Sequence, residues 1–154
     1  MKVKFIFLAL LLGFGTSGIA LSQNARQFYK TGLTFSENGN HKDAIDQFTK
    51  AINIDPEYAQ AYVERARSYE ASGDLQNAAD DLKRALTFEQ KQSELYFEAA
   101  QLNFKLNHLP YALELVNSNL LLDKKSAAGY RLLSRIQMAM DDYSNALVAI
   151  NKSL

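Results

Sequence analysis

One alanine recurs along this chain at a fixed step of 34 residues, at Ala44, Ala78, Ala112 and Ala146. The residues on either side of it are also similar in the four segments. A period in this range is typical of proteins built from stacked copies of one small supersecondary unit. The sequence therefore predicts a domain of four similar repeats.

Three further columns of constant chemistry keep the same step. An aromatic column is followed four residues later by a small column, and seven residues after that by a column of Gly, Asn or Asp. The columns are Phe28, Tyr62, Tyr96 and Tyr130, then Gly32, Ala66, Ala100 and Ser134, then Gly39, Gly73, Asn107 and Asp141. Small side chains let two helices approach closely, and Gly, Asn and Asp tolerate the left-handed conformation that ends a helix.

Apolar residues at helical spacing lie on both sides of each turn column. In the first repeat, Phe48 and Ile52 follow Ala44 at steps of four, which places them on one helix face. Each repeat is thus predicted to be two antiparallel helices, and the fold class is all-α. The predicted helices span 25–38, 41–54, 59–72, 75–88, 93–106, 109–122, 127–140 and 143–154.

Proline and aspartate residues at the predicted helix ends agree with these limits. Pro56 disfavours helix at Asp55 and so closes the first repeat. Pro110 falls at the start of a second helix, where its missing N–H does little harm. Asp74 and Asp142 precede predicted helices and are expected to cap them.

The unit resembles the tetratricopeptide repeat, and the first copy fits that family's pattern best. Phe28 stands where the family usually has Trp, and the remaining matches are Gly32, Phe35, Ala44, Phe48, Ala51 and Pro56. The resemblance implies an α-solenoid of four two-helix repeats, wound as a right-handed superhelix. The repeat domain is 23–154, with repeats at about 25–58, 59–92, 93–126 and 127–154.

Family resemblance also implies a concave groove lined by the first helix of each repeat, where a peptide or helical segment of a partner protein binds. The groove residues are Tyr29, Leu33, Val63, Arg67, Phe97, Gln101, Phe104, Arg131 and Arg135. Apolar residues among them, with Met138, suggest a partner surface of mixed character. The alternative is that each leans on a neighbouring helix and is half-buried within the domain.

Arg131 and Arg135 lie four residues apart and therefore share one helix face. We expect them to pair with Glu94, Glu98 or other acids of the preceding repeat, the alternative being a carboxylate of the partner. Some family members hold a C-terminal carboxylate with Lys and Asn in the first repeat. Tyr29 and Leu33 occupy those places here, so that clamp is expected to be absent.

Residues 1–22 have the pattern of a secretory signal. Lys2 and Lys4 precede an apolar run, and small residues follow it, so we expect cleavage after Ser22. An uncleaved membrane anchor is the alternative. Without cysteine, neither a lipid-modified cysteine nor a disulfide is available. We therefore expect an exported bacterial protein that is periplasmic or secreted and soluble, with no stable membrane insertion after cleavage.

Other classes of function find little support. Without Lys2 and Lys4 the chain has 15 basic and 17 acidic side chains, so no nucleic acid partner is expected. His41 and His108 fall at separate turns, and the pairs at 80–81 and 141–142 are expected to be solvated or capping rather than catalytic. We expect no enzyme activity, no cofactor and no metal, and the predicted class is a non-enzymatic interaction module or adaptor.

The last helix raises a second hypothesis. Ile150 and Leu154 are expected to meet water, although terminal repeats normally carry a polar outer face. Fraying, a longer natural chain and association through this end remain as explanations. The alternative function is accordingly a structural protein that self-associates through its last repeat.

Overall fold

The computed structural model describes the backbone of residues 15–154 and the side chains from residue 23 onward. Residues 1–14 of the predicted signal segment lie outside the described residues. Every regular element in the described part is an α-helix. The helices are α1 (Gly15–Glu37), α2 (His41–Ile54), α3 (Ala59–Ala71), α4 (Leu75–Phe88), α5 (Ser93–Lys105), α6 (Leu109–Leu122), α7 (Ala127–Ala139) and α8 (Tyr143–Lys152).

This arrangement confirms the predicted all-α solenoid of four two-helix repeats. From α2 to α8 each helix begins at the predicted residue. The prediction for α1 is wrong at its start, because the helix begins at Gly15 rather than Ala25. The repeat columns begin only after the start of this helix, and no proline between Gly15 and Glu37 interrupts it.

The helix ends follow the predicted local chemistry. Asp74 and Asp142 each accept a hydrogen bond from the backbone N–H three residues on, at 3.3 and 3.4 Å. Pro110 lies in the first turn of α6. All four members of the turn column have positive φ, at 76° for Gly39, 83° for Gly73, 59° for Asn107 and 60° for Asp141. This confirms the left-handed turn between the paired helices.

The alanine and small columns form the centre of each repeat. Ala44, Ala78, Ala112 and Ala146 are all buried. A Cβ built on Gly32 would lie 2.6 Å from the Phe48 ring, so the glycine permits the approach of this aromatic side chain. Later repeats have the smaller Leu82 and Val116 at the position of Phe48. Ring volume therefore explains why the first small position is glycine.

Candidate functional site

The nine groove residues lie on α1, α3, α5 and α7, and none of them is fully buried. Gln101 and the three arginines are exposed, and the others are half-buried. The half-buried Tyr29, Val63, Phe97 and Phe104 pack against the hydrophobic core. Each of these side chains is therefore half-buried within the domain, and the rest of its surface is open to solvent.

At the α1 end, Tyr29 belongs to a small aromatic cluster. Its ring centroid lies 5.0 Å from that of Tyr58 and 5.8 Å from that of Phe48. Burial raises the pKa of Tyr29, and the nearby charge of Glu64 adds to the effect. Burial also raises the pKa of Tyr58. The phenols are thus held neutral, and this end offers an aromatic surface with hydrogen-bonding hydroxyls.

Arg67 on α3 is bound by carboxylates and is not free to receive a ligand. Its Nε and Nη2 donate to the two carboxylate oxygens of Glu98 on α5, both at 2.9 Å, and its Nη1 donates to Glu64 at 2.7 Å. These hydrogen bonds, led by those to Glu98, raise the pKa of the guanidinium. A bidentate pair of this geometry fixes both side chains.

Charged side chains bridge a gap between α3 and α5. Cα atoms of α1 and α3 approach within 8 Å, as do those of α5 and α7, but none of α3 and α5 do. The gap is crossed by Arg67 with Glu98, and by Lys105, which donates to Glu70. We call these four residues the charged seam. Arg67 was predicted as a groove residue, but its pairing with Glu98, 31 residues away, was not predicted.

At the α7 end, the expected pairing of Arg131 and Arg135 is wrong. Neither arginine has a carboxylate within 4.0 Å among the described residues, because Glu98 is already bound by Arg67. Arg135 instead lies over the ring of Phe104 at 4.9 Å, a cation–π geometry. The charged groove residues therefore differ along the groove. Arg67 in the middle is paired with carboxylates, whereas Arg131 and Arg135 on α7 have no carboxylate partner among the described residues.

A buried ion pair lies outside the groove residues and was not predicted. Arg65 donates two hydrogen bonds of 2.7 Å to Asp81 and one of 2.9 Å to Thr49. The prediction that Asp81 is solvated or capping is therefore wrong. Burial alone would lower the pKa of Arg65, but the hydrogen bonds and charge of Asp81 outweigh it and raise that pKa. The ion pair joins α2, α3 and α4.

The histidines and the acids at 141–142 that the sequence singled out lie at turns and helix ends. Among the described residues, no group of three or more His, Asp or Glu side chains converges to hold a metal ion. His41 begins α2 and His108 immediately precedes α6, which places both at the predicted turns. Asp142 caps α8, and Asp141 accepts a hydrogen bond of 2.8 Å from the Tyr143 hydroxyl. These acids have the local roles expected of turn residues.

Large exposed apolar side chains are concentrated at one end of the described chain. The most exposed are Leu121, Leu122, Met138, Met140, Tyr143, Leu147, Val148, Ile150 and Leu154. They all fall between residues 121 and 154, and the exposure of Ile150 and Leu154 agrees with the prediction. This end therefore differs in surface chemistry from the described residues that precede Leu121.

Comparison with protein families identifies the repeat. A family model described as TPR repeat matches residues 32–73, and another described as Tetratricopeptide repeat matches residues 59–92. Both matches fall on repeats that carry the alanine, small and turn columns. A comparison with curated protein sequences gives no significant match.

Comparison with solved structures supports the same fold. A crystal structure of MamA is 19% identical over 90% of this chain and 81% of that chain, with a TM-score of 0.79. The first TPR of Spaghetti (RPAP3), bound to the HSP90 peptide SRMEEVD, is 23% identical over 78% and 95%, with a TM-score of 0.72. The Sgt2 TPR domain from Aspergillus fumigatus is 22% identical over 79% and 82%, with a TM-score of 0.66.

No helix among the described residues combines the length and the apolar character that crossing a bilayer requires.

Proposed function

Since this chain is a tetratricopeptide repeat protein, we propose that it is a non-enzymatic adaptor of the bacterial cell envelope. It binds a peptide or helical segment of a partner protein in its groove. The observation that carries this proposal is the set of nine groove residues on the first helices, each with some surface open to solvent. A surface of this kind offers contacts to a partner without any catalytic group.

The chemistry of the groove residues supports a protein ligand. Aromatic and aliphatic surface at Tyr29, Val63 and Phe97 suits apolar anchors of a peptide, and Gln101 offers an amide for hydrogen bonds. Arg131 and Arg135 add two cations without carboxylate neighbours. The RPAP3 repeat domain, which has the same fold, holds a bound peptide. A mixed apolar and cationic groove is therefore suited to binding a protein segment.

Site-directed cross-linking tests the groove. The chain has no cysteine, so Gln101→Cys provides a single attachment point for a photo-cross-linker in the groove, and Gln76→Cys provides one on α4. We expect a partner adduct from Gln101→Cys alone, identified by mass spectrometry. Equal capture of the same partner from both positions, or capture from Gln76→Cys only, would contradict groove binding.

Charge reversal in the groove tests the contribution of α7. Arg135→Glu should weaken capture of that partner strongly. Arg84→Glu is the matched control, since Arg84 is also an exposed arginine over an aromatic ring but lies on α4, with Phe88 at 5.6 Å. Equal loss in both variants would mean that general charge, rather than the groove, determines binding.

The envelope location rests on residues 1–22. Lys2, Lys4 and the apolar run that follows support export, with Gln23 as the new N-terminus. Cell fractionation combined with intact-mass measurement tests this. We expect a chain that begins at Gln23 outside the cytoplasm. A full-length chain in the cytoplasm would refute export, and a full-length chain in the membrane fraction would favour an uncleaved anchor.

A second candidate function is self-assembly through the last repeat. The exposed apolar side chains between residues 121 and 154 favour it specifically. Contiguous apolar surface of this kind is characteristic of protein interfaces. Self-assembly is compatible with groove binding, because α8 does not contribute to the groove residues.

A further inference from the structure

The chain contains a single Asn–Gly sequence, Asn38–Gly39, and it lies in the turn between α1 and α2. Gly39 belongs to the turn column and has a φ of 76°. Asn38, Gly39 and Asn40 are all exposed, and a Cβ built on Gly39 would have no atom within 4 Å beyond the adjoining residues. The backbone of this turn is therefore open to water and to dissolved base.

The equivalent turn of the second repeat has the same geometry but different chemistry. Asn38 Nδ2 donates to the carbonyl four residues earlier at 2.8 Å, and Ser72 Oγ does the same at the same distance. In both turns the glycine N–H donates to the carbonyl three residues earlier, at 2.9 and 3.0 Å. The third and fourth repeats have Leu106 and Met140 at this place. Only the first turn therefore has a side-chain amide directly before the turn residue.

We propose that Asn38 is a site of spontaneous covalent modification, where its amide is converted to a carboxylate through a cyclic imide. The Gly39 backbone nitrogen gives its proton to base and attacks Asn38 Cγ. The N–Cγ bond forms, the Cγ–Nδ2 bond breaks, and Nδ2 leaves as ammonia with a proton from water. Water then opens the imide at either carbonyl, which gives aspartate or isoaspartate. Glycine favours ring closure because it has no Cβ to crowd the attacking nitrogen.

Hydrogen bonds in the folded turn slow this reaction but do not prevent it. The Asn38 amide is bound to the Thr34 carbonyl, and the Gly39 N–H is bound to the Ser36 carbonyl. Both contacts lie at the exposed end of α1, and helix ends open more readily than the interior of a domain. Ring closure thus requires local opening of the last turn of α1 rather than unfolding of the domain.

The product fits this turn less well than asparagine does. A carboxylate at position 38 would follow Glu37 at the C-terminal end of α1, where the helix dipole disfavours negative charge and no basic residue lies in the last turn. The Nδ2 donor to Thr34 would also be lost. Isoaspartate additionally lengthens the main chain within the turn. Modification should therefore weaken the packing of α1 on α2 in the first repeat.

Peptide mapping of the full chain provides the first test. Trypsin releases residues 31–42, which contain Asn38 and, as an internal control, Asn40. After incubation at mildly alkaline pH, we expect the mass change of an NH2-to-OH exchange at position 38 alone, with aspartate and isoaspartate forms. Asn38→Gln should remain unmodified, because its larger ring closes far more slowly. Equal conversion of Asn40, or an unmodified Asn38 in the folded chain under conditions that convert the urea-unfolded chain, would overturn the proposal.

Transfer of the Asn–Gly sequence tests the argument from turn geometry. Ser72→Asn places an asparagine before Gly73 in the second turn, and Ser72→Gln is its matched control. We expect Ser72→Asn to acquire a second modified position at 72, and Ser72→Gln to remain modified at Asn38 alone. Conversion at position 38 without conversion at position 72 would contradict the argument that this turn geometry permits the reaction.

Thermal unfolding tests the consequence for the first repeat. Asn38→Asp has the charge of the product and should have a lower melting temperature than Asn38→Gln, which retains a neutral amide. Equal melting temperatures for the two variants would contradict the predicted weakening of the first repeat. None of these measurements involves a groove partner, so their outcome is independent of the proposed groove function.

Discussion

The second and third repeats fill one equivalent interior position with opposite chemistry. In the second repeat it holds the ion pair of Arg65 and Asp81. One step of 34 residues later the same two places hold Ala99 and Leu115, which are both buried. A further step leads to Leu133 and Ala149, which are again apolar and buried.

This comparison shows what the position requires. The interior space between the paired helices must be filled, and either a hydrogen-bonded ion pair or two apolar side chains can fill it. A buried pair of charges is often no more stabilising than apolar residues of similar volume, but removal of one partner leaves an unpaired charge. The two repeats should therefore respond very differently to the loss of one side chain.

The largest expected effect is that of Asp81→Ala. It leaves the Arg65 guanidinium, whose side chain is only 15% exposed, with Thr49 as its remaining hydrogen-bond partner. We expect the free energy of unfolding, measured with denaturant, to fall by about 3–5 kcal/mol. Asp80→Ala is the control, because Asp80 is an exposed neighbour and should change stability by about 0.5 kcal/mol or less.

The same experiment can break the comparison. The double variant Arg65→Ala, Asp81→Leu copies the third repeat into the second. If the two arrangements are equivalent, this variant should regain most of the stability that Asp81→Ala loses. A double variant as unstable as Asp81→Ala would show that the second repeat specifically requires its ion pair.

An intermediate effect is expected for Ala78→Leu. Ala78 is fully buried within the second repeat, and overpacking there should lower the free energy of unfolding by about 1–3 kcal/mol. Ala146→Leu extends the comparison to the fourth repeat. Among the described residues α7 alone packs on α8, so α8 can shift outward and the loss should be smaller. An unchanged melting temperature for Ala78→Leu would refute its placement as a close-contact point.

The smallest effect concerns two tyrosines. Burial is the main reason that the pKa is raised for Tyr58, which precedes α3, and for Tyr111 on α6. Because the folded pKa is the higher one, the unfolded chain loses its phenolic proton first. The contribution of these phenols to stability is therefore fully present below the ordinary pKa of about 10 and is lost as pH rises above it.

Denaturant titrations on both sides of that pH check this prediction. Tyr58→Phe and Tyr111→Phe should each reduce the alkaline loss of stability, since neither variant has a phenol at that position to ionise. Similar reductions would show that the half-buried phenols at the end of the first repeat and in the third repeat contribute alike. A steeper alkaline loss in either variant would contradict the direction of the pKa shift.

Periodicity predicted most of the fold because each column has a local physical meaning. Glycine, Asn and Asp adopt positive φ in the four turns, and Asp74 caps α4. The repeat columns do not report where the helix that precedes the first column starts, which is why the start of α1 was misplaced. The groove residues keep some exposed surface, and their binding role is still a prediction.

The charged contacts could not be predicted in the same way. Which acid an arginine selects depends on side-chain reach across neighbouring helices. Glu98 was expected to pair with the α7 arginines, and the structure places it with Arg67. Asp80 and Asp81 were expected to be solvated or capping because adjacent residues on a helix point in different directions. Asp80 is exposed, but Asp81 is buried and pairs with Arg65.

The charged seam bears on how the solenoid unfolds. Stability of a repeat protein is a sum of repeat and interface terms, so opening begins where the interface is weakest. Between the second and third repeats, α4 packs on α5, but no Cα atoms of α3 and α5 lie within 8 Å of each other, and long charged side chains that salt can screen bridge these two helices. The two halves of the chain should therefore become separate cooperative units as ionic strength rises, each with its own protection against hydrogen exchange.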